Sequence, residues 1–337
     1  MGVQLTGIIE AKELSLEQLF DKAIAVDAFN WLYQFLSIIR QPDGTPLKDS
    51  RGNITSHLSG LYYRTLRLME AGIMSVYVFD GKPPEFKQQT AEHRRDVRAE
   101  ARREWTAALQ RGDLEAARKF AQRSSELTGS MIEDSRQLLD AMGLPAIQAV
   151  SEGEALCAAM AKKGDVFATA TQDYDSLLFG CPVLVRNLSI TGKKKRGDAY
   201  ITVNPEMIML NDALDALGIT QEQLITLGIL VGTDYNPGGV AGYGPKRALE
   251  LVREKKTLGA VLEVVPWDFD VPADEIFEFF KSPALSDYDI TFRDVNEEAI
   301  MKILCDEHDF SQERISNALK KLSESRSGQK SLGRFFG

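Results

Sequence analysis

Cysteine, histidine and long apolar segments are scarce in this chain of 337 residues. Its three cysteines form no C-x-x-C pair, which excludes a disulfide framework and a thiolate zinc site, so we expect them in the core. The three histidines are far apart in the sequence, and a histidine metal site is not predicted. No apolar run approaches the ~20 residues that cross a bilayer, and no signal peptide is recognisable. We therefore expect an intracellular protein without a membrane partner.

Basic residues are unevenly distributed in a chain whose net charge is −9. Residues 263–310 carry a local charge of −11, which leaves the remainder at +2. Lysine and arginine gather at 82–123, 193–196 and 246–256. Each such patch alone is typical of a solvated face, but together they suit a phosphate backbone, whose counterions basic contacts release. The overall acidity therefore does not exclude a nucleic-acid partner.

The segment from Ser151 to Gly180 contains two pairs of carboxylates. Glu152 and Glu154 open a predicted helix, and Asp173 and Asp175 follow a predicted strand at 166–171. Each pair has an ordinary interpretation, because Ser151 with Glu154 resembles a capping box and aspartates are common in turns. In a parallel α/β sheet, however, strand ends and helix starts face one crevice. The four carboxylates are therefore predicted to share a pocket.

Three further carboxylates occupy matching positions. Asp27 and Asp80 end predicted strands at 22–29 and 75–80, and Asp234 follows a predicted helix at 221–231. Strands are also predicted at 145–150, 181–188 and 199–203, the last two joined by a basic turn. Seven carboxylates brought together could not all ionise without counter-cations. Because the ligands are oxygens, two Mg²⁺ or Mn²⁺ ions fit better than zinc, and such a pair catalyses displacement at phosphorus.

Two segments outside the sheet are predicted to contact phosphate. Residues 84–142 are rich in helix formers and arginine, and the spacing of Lys87, Arg94 and Arg98 places them on one helix face, as in a lid with a cationic inner surface. At 238–252 a glycine-rich turn enters a helix. Its backbone N–H groups could bind a phosphate. The spacing is not that of a P-loop, and a helix-hairpin-helix is the preferred interpretation.

At this point the motifs AVDAFNWLYQFL, YVFDGKPPEFK, SEGEALCA, TQDYDSLLFG, LVGTDYNPGGVAGYGPKRAL and QKSLGRFF closely resemble those of the flap endonucleases, from Met1 to Gly337. The resemblance implies an α/β fold with a central, mostly parallel twisted sheet flanked by helices, a PIN-like core, a helical arch and a helix-hairpin-helix. It also implies Mg²⁺-dependent cleavage of 5′ flaps with 5′-3′ exonuclease activity, in Okazaki-fragment maturation and base-excision repair. Without a lysine-rich tail, the chain looks archaeal, which would place it in the cytoplasm or nucleoid.

Residue roles follow from the resemblance position by position. The implied metal ligands are Asp27, Asp80, Glu152, Glu154, Asp173, Asp175 and Asp234. The implied lid cations at the scissile phosphate are Lys87 and Arg94. The implied DNA-binding residues are Gly2, Tyr33, Glu152, Asp234, Gly242, Gly244, Lys246 and Arg247, with Tyr33 stacking on the terminal base and a K⁺ ion at the hairpin. Residues 36–58 would form a wedge and a pocket for a one-nucleotide 3′ flap.

The C-terminal motif resembles a box that binds the sliding clamp PCNA. Its four positions are Gln329, Leu332, Phe335 and Phe336, and residues 323–328 would be a flexible lead-in. The predicted organisation is one nuclease domain over 1–325, containing an N-terminal region at about 1–100, an arch at about 82–130, an internal region at about 115–255 and a helix-hairpin-helix at about 221–256, followed by a flexible tail over 326–337. The expected partners are this clamp and branched DNA (5′-flap, double-flap or nicked duplex), bound by a monomer.

Two alternatives remain open from the sequence. A PIN-like single-strand ribonuclease shares the acidic α/β core, but it would leave the helix-hairpin-helix and the clamp box unexplained. A non-catalytic scaffold on the clamp would not need the seven carboxylates. A small departure from the family is Gly153, where relatives often carry alanine, and we expect added flexibility there.

Overall fold

The computed structural model describes residues 2–84, 87–190, 192–196 and 199–333, with backbone alone at 88–93, 193–196, 199–201 and 326–333. Nine strands lie in the described residues: β1 Lys12–Glu13, β2 Ala23–Asp27, β3 Met74–Phe79, β4 Ala146–Gln148, β5 Ala168–Ala170, β6 Val183–Arg186, β7 Gly192–Arg196, β8 Ala199–Val203 and β9 Glu206–Met209. The α-helices described are α1 Ala28–Ile38, α2 Ser56–Glu70, α3 Gln88–Gln110, α4 Leu114–Arg123, α5 Gly129–Ala141, α6 Gly153–Lys163, α7 Asp175–Leu178, α8 Leu210–Leu217, α9 Gln221–Val231, α10 Pro245–Lys255, α11 Leu258–Leu262, α12 Ala273–Lys281, α13 Glu297–Met301 and α14 Gln312–Gly333. No single described helix is long and apolar enough to cross a membrane; only the pair α8 and α9 passes that test together, bent by 78°.

Seven strands form one sheet in the order β1-β9-β6-β5-β2-β3-β4. The strands β6, β5, β2, β3 and β4 are parallel, and β9 and β1 add antiparallel pairs at one edge. Because parallel strands are joined by crossover helices, their carboxyl ends all face the same edge of the sheet. The mostly parallel α/β fold expected from the sequence is thereby confirmed.

Side chains that alternate along the central strands build a core on each face of the sheet. Ile24 and Val26 of β2 face one core, whereas Ala25 faces the other. Successive residues of a strand point to opposite faces, so a run buried on both sides is apolar throughout. The helices α6, α9 and α12 contribute to the core that contains Ala25, and α1, α2, α5 and α14 contribute to the core that contains Ile24.

Two points of the strand prediction need correction. The basic segment 192–196 is not a turn but strand β7, which pairs with β8 in a separate two-stranded ribbon. β1 and β9 were not predicted, because each is short and one side of the pairing is polar. The strand predicted to end at Asp27 does end there, and α1 begins at Ala28, because the Asp27 carboxylate accepts a hydrogen bond from the Asn30 N–H, 3.0 Å away, and caps the helix.

The predicted helical insertion consists of α3, α4 and α5. Helices α3 and α4 pack together across a turn in which Gly112 has a φ of 72°. Trp105 of α3 donates to the Asp43 carbonyl, 3.3 Å away, and Arg40 donates to Ser125 Oγ beyond α4 at 2.8 Å. These contacts tie the insertion to residues 40–43, within the segment 36–58 that the family resemblance implies to be a wedge.

The C-terminal segment differs from the flexible tail predicted after residue 325. Helix α14 continues to Gly333 and packs on α2. Lys321 pairs with Glu70 at 3.1 Å, and Ser325 Oγ donates to the Glu70 carbonyl at 3.0 Å. The serines, lysine and glutamine beyond residue 322 support a helix well enough once its start is packed. Gln329 and Leu332 therefore have helical backbones; Phe335 and Phe336 lie outside the described residues.

Candidate active site

All seven predicted carboxylates line one cavity of about 690 Å³. Asp27 ends β2, Asp80 follows β3, and Asp173 and Asp175 follow β5. Helix α6 brings the two glutamates, and the loop between α9 and α10 brings Asp234. The lining residues are Asp27, Phe29, Asn30, Tyr33, Ser37, Asp80, Pro83, Lys87, Arg94, Val97, Arg98, Gln122, Arg123, Ser125, Glu152, Glu154, Asp173, Asp175, Phe179, Asp234 and Tyr235. The seven carboxylates that the sequence predicts to share a pocket thus lie around one cavity.

The capping-box interpretation of the α6 start is wrong. Glu152, not Ser151, is the N-cap, and no side chain caps the helix there. The Gly153 N–H instead donates to Asp80 Oδ1 at 2.7 Å, and an added Cβ at Gly153 would stand 2.9 Å from that oxygen. Gly153 is therefore fixed against a ligand rather than flexible. Both glutamate side chains remain available to the cavity.

Two neutral polar residues that the sequence analysis missed connect the carboxylates. Thr171 Oγ1 donates to Glu154 Oε1 at 2.9 Å and accepts from the Asp173 N–H at 3.3 Å. The amide of Asn30 donates to Asp173 Oδ2 at 3.0 Å. Such hydrogen bonds hold metal ligands in one orientation. The only signal in the sequence was position, because Asn30 and Thr171 lie within three residues of a predicted ligand.

Gly2 lies directly against two of the predicted ligands. Its N–H donates to Asp173 Oδ1 at 3.3 Å, and the N–H of Val3 donates to Asp175 Oδ1 at 2.7 Å. A Cβ at Gly2 would stand 2.8 Å from Asp173 Cβ and 2.9 Å from the Asp175 carboxyl group. Only glycine fits this approach without a shift, which agrees with the predicted position of Gly2 at the site.

Burial and mutual repulsion dominate the electrostatics of the cluster. Burial, with Glu152 nearby, raises the pKa of Asp80 to about 6, and burial, with Asp234 and Asp173, raises the pKa of Asp175 to about 7. For the same reasons the pKa values of Asp27 and Glu154 lie well above the ordinary range. A buried carboxyl group in this situation takes up a proton or a cation.

Two basic side chains of the insertion reach the carboxylates. Lys87 Nζ contacts both oxygens of Glu152 at 2.8 Å and lies 3.7 Å from Asp234. Arg94 donates to Asp234 at 2.5 Å. Burial alone would raise the pKa of Asp234, but Arg94 and Lys87 hold it below the usual value. The predicted lid cations thus lie at the cluster, where a phosphate would have to displace their present partners.

Tyr33 is one of two aromatic residues of α1 that line the cavity, with Phe29. Its hydroxyl accepts a hydrogen bond from Arg98 at 3.3 Å, and its ring is half-buried. Trp31 and Phe35 of the same helix are buried in the core. Helical periodicity explains the division, because residues two apart point to different sides of a helix.

The donor set fits hard divalent ions. Seven carboxylates surround the cavity, and none of its described lining residues is histidine or cysteine. Oxygen-only ligands favour Mg²⁺ or Mn²⁺ over zinc. The described residues do not stand in a closed metal-binding arrangement. Lys87 and Arg94 instead partly compensate the charge of Glu152 and Asp234.

The predicted helix-hairpin-helix is formed by α9, the loop at 232–244 and α10. Gly242 has a φ of 83°, which favours glycine, whereas Gly244 is the N-cap of α10 and Pro245 occupies its first turn. Lys246 is exposed, and Arg247 lies over the Tyr243 ring at 4.6 Å and donates to the Gly242 carbonyl at 3.2 Å. The same loop holds Asp234, so the hairpin and the carboxylate cluster are covalently adjacent.

Comparison with known proteins assigns the family. Residues 1–101 match the XPG N-terminal domain and residues 143–234 match the XPG I-region. The chain is 55% identical over 335 residues to "Flap endonuclease 1" of Pyrococcus furiosus, covering 98% of each chain. The chain belongs to the flap endonuclease family. Membership makes it a nuclease and confirms the resemblance inferred from its motifs.

Solved structures of flap endonuclease relatives agree with this assignment. The flap endonuclease-1 of Methanococcus jannaschii superposes with a TM-score of 0.77 at 42% identity, over 97% of this chain and 100% of that one. The catalytic core of Rad2 in complex with a DNA substrate gives a TM-score of 0.70 at 25% identity, over 93% and 96%. The arch, sheet and hairpin described above therefore belong to a flap endonuclease fold.

Proposed function

We propose that this flap endonuclease cleaves 5′ flaps where single-stranded DNA leaves a duplex, by metal-dependent hydrolysis of one phosphodiester bond. The observation that carries the proposal is the convergence of seven carboxylates with Lys87 and Arg94 in one cavity. This set combines oxygen ligands for cations with side chains that bind a phosphate. Incision would leave a 3′-OH and a 5′-phosphate, as Okazaki-fragment maturation and base-excision repair require, and a 5′-3′ exonuclease activity would use the same site.

The carboxylates would hold two Mg²⁺ ions, for which Mn²⁺ could substitute. When bound, these ions would supply an activated water and stabilisation of the leaving oxygen. Thr171 and Asn30 keep Glu154 and Asp173 in orientation for this task. Lys87 and Arg94 exchange their carboxylate partners for the scissile phosphate and stabilise the charge that develops on it. Because Lys87 and Arg94 belong to the helical insertion, their contact with the phosphate depends on where the insertion lies over the cavity.

Recognition of the junction would rest on shape and backbone contacts. Tyr33 lies at the cavity beside Arg98, where a terminal base could stack on its ring. The exposed Lys246 and the start of α10 offer a cation and free N–H groups to a duplex phosphate, with a K⁺ ion at the loop carbonyls. The segment at 36–58 would act as the wedge and hold the 3′ flap. Specificity then follows from the bend of the duplex rather than from base readout.

The C-terminal box would bind the sliding clamp PCNA. Gln329, Leu332, Phe335 and Phe336 supply the required residue types, and α14, which packs on α2, is helical as far as Gly333. The nuclease would act as a monomer on nicked, single-flap and double-flap DNA. Loss of clamp stimulation in a Phe335→Ala/Phe336→Ala variant, with unchanged incision in the absence of clamp, tests this part separately.

Incision of a labelled double-flap DNA with Mg²⁺ tests the central proposal. Wild type is expected to cut one nucleotide inside the junction, and Asp175→Ala is expected to bind the junction without cutting. A matched single strand and a Lys12→Ala variant, which removes an exposed ion pair with Asp212, serve as controls. Cutting of single-stranded RNA alone would favour the ribonuclease alternative. Undiminished flap cutting by Asp175→Ala would assign the activity to a contaminating nuclease. It would favour the alternative of a non-catalytic scaffold on the clamp.

A further inference from the structure

A second group of ligand-type side chains lies outside the carboxylate cavity. His57, in the first turn of α2, and His308, beyond the π-helical turn at 302–306, both face Asp134 of α5. Their Nε2 atoms lie 4.0 Å and 3.9 Å from the same oxygen, Asp134 Oδ2. The expectation that the histidines stand apart from one another is therefore wrong for these two, which are 251 positions apart in the sequence but adjacent in the fold.

His57 is buried in a way that an ordinary core residue is not. Its side chain has no exposed surface, and neither ring nitrogen has a hydrogen-bond partner among the described residues. An imidazole left unsatisfied in the interior costs more than an apolar side chain of similar size. Burial also lowers the pKa of His57 to about 3, so the ring is neutral at physiological pH and offers a lone pair. An additional ligand would remove the penalty at the nitrogen that faces Asp134.

Asp49 lies on the far side of His308. Its Oδ2 is 3.4 Å from His308 Nδ1, and its side chain is fully buried. The carboxylate is fixed by the N–H groups of Arg51 and Asn53 and by the Asn53 amide, at 2.8 to 3.0 Å. A proton on Nδ1, on the side of Asp49, would leave the lone pair on Nε2, toward Asp134. A carboxylate behind a histidine in this way is the arrangement that orients histidine ligands of metal ions.

We propose that His57 Nε2, His308 Nε2 and Asp134 bind one divalent ion of the zinc type, with Asp49 as a positioning residue for His308. Two imidazoles and one carboxylate suit zinc, and a water would complete a tetrahedron. Tetrahedral ligands stand about 3.3 Å apart, so the Asp134 oxygen and each imidazole nitrogen must approach each other by ~0.6 to 0.7 Å on binding. Asp134 can make this movement and admit the ion, because its side chain is 30% exposed.

A bound ion would join segments that are distant in the sequence. Asp134 and His57 lie on α5 and α2, His308 lies just before α14, and Asp49 lies in the loop that contacts the insertion through Asp43. Because an ion that binds only the folded state stabilises it by mass action, zinc would raise the unfolding temperature without acting at the carboxylate cavity. The role inferred for the site is structural.

Zinc binding in excess Mg²⁺ tests the proposal, on an Asp173→Asn/Asp175→Asn background that weakens competition from the cavity. After equilibrium dialysis we expect one zinc per chain that Mg²⁺ does not displace, and with Co²⁺ the visible absorption of a tetrahedral site. His57→Asn, His308→Asn and Asp134→Asn should each lose it. Asp49→Asn should weaken binding by ~10–100-fold. His93→Asn, the control substitution on α3, should still bind one zinc ion per chain.

Each variant is first unfolded thermally in chelator, so that a folding defect is recognised. If His57→Asn does not unfold cooperatively, Asp134→Asn tests the same site. The Asp134 side chain is partly exposed, so its replacement disturbs the core less. The proposal would be overturned if the Asp173→Asn/Asp175→Asn protein bound no zinc ion that resists displacement by Mg²⁺. Full zinc binding in both His308→Asn and Asp134→Asn would also overturn it. A rise in unfolding temperature with zinc that His308→Asn abolishes would support it independently of stoichiometry.

Discussion

Thr171 connects two carboxylates through one hydroxyl group, which both donates to Glu154 and accepts from the Asp173 N–H. Replacement by valine keeps the shape of the side chain but removes both hydrogen bonds. We expect Thr171→Val to raise the Mg²⁺ concentration for half-maximal incision by ~10–100-fold, the usual effect of losing a group that orients metal ligands. Thr171→Ser retains the hydroxyl and should remain close to wild type. A Thr171→Ser variant as impaired as Thr171→Val would contradict this role.

Gly2 tests how closely the start of the chain approaches the site. In Gly2→Ala the methyl group would meet Asp173 and Asp175 at 2.8 to 2.9 Å, so a predicted ligand must move. A misplacement of about 1 Å in an active site can cost about 10²-fold in rate. We expect flap incision at saturating Mg²⁺ to fall by that order while the unfolding temperature changes little. Gly259→Ala is the matched control, since an added Cβ there has open space. Unchanged incision by Gly2→Ala would show that the approach is not required.

The carboxylates could be predicted from the sequence, whereas their partners could not. Asp27, Asp80 and Asp173 stand at the ends of apolar runs, and a parallel sheet brings such ends together whatever the loops do. Asn30 and Thr171 have no such signature, because neutral polar residues are common near strand ends. The contacts of Gly2 with Asp173 and of His57 with Asp134 depend on tertiary packing, which no local pattern encodes.

At the level of elements, the duplex contact proposed for the hairpin between α9 and α10 can be tested apart from incision. Lys246 is exposed at the start of α10 and does not line the cavity. Removing one phosphate contact should lower the slope of log K against log salt by about 1. We expect Lys246→Ala to weaken junction binding and to lower this salt slope by about 1. Single-turnover incision at saturating protein should stay unchanged. Lys12→Ala is the control. Equal salt slopes for Lys246→Ala and wild type would remove the hairpin from the binding surface.

Element prediction failed where pairing partners decide the structure. The segment 192–196 is a basic run with glycine at its start, typical of a turn, but it becomes β7 because β8 offers a complete antiparallel register. The segment after residue 322 is polar enough for a tail, yet its helix starts on α2 and continues to Gly333. In contrast α9 and α10 were predicted well, because a capping Thr220 and the sequence Gly244-Pro245 mark their starts locally.

For the whole molecule, the buried carboxylates couple folding to pH. The pKa values of Asp80 and Asp175, about 6 and about 7 in the fold, exceed the ordinary value of 3.8. Between pH 4 and 7 the folded state therefore binds more protons than the unfolded state. The free energy of unfolding of the metal-free protein must then fall as pH rises through this window, by an amount on the order of a few kcal/mol.

Urea unfolding in chelator at pH 5, 6, 7 and 8 measures this dependence, and we expect stability to decline toward pH 8. Mg²⁺ should reverse the trend, because it binds the ionised carboxylates of the folded state and is displaced by protons at low pH. Asp175→Asn, which cannot ionise, should flatten the decline in chelator, whereas Asp212→Asn at an exposed ion pair should not. A metal-free protein that becomes more stable from pH 5 to pH 8 would contradict the raised pKa values. Because the charge that destabilises the empty cluster is the charge that binds the ions, the fold carries at this site an electrostatic cost that metal binding offsets.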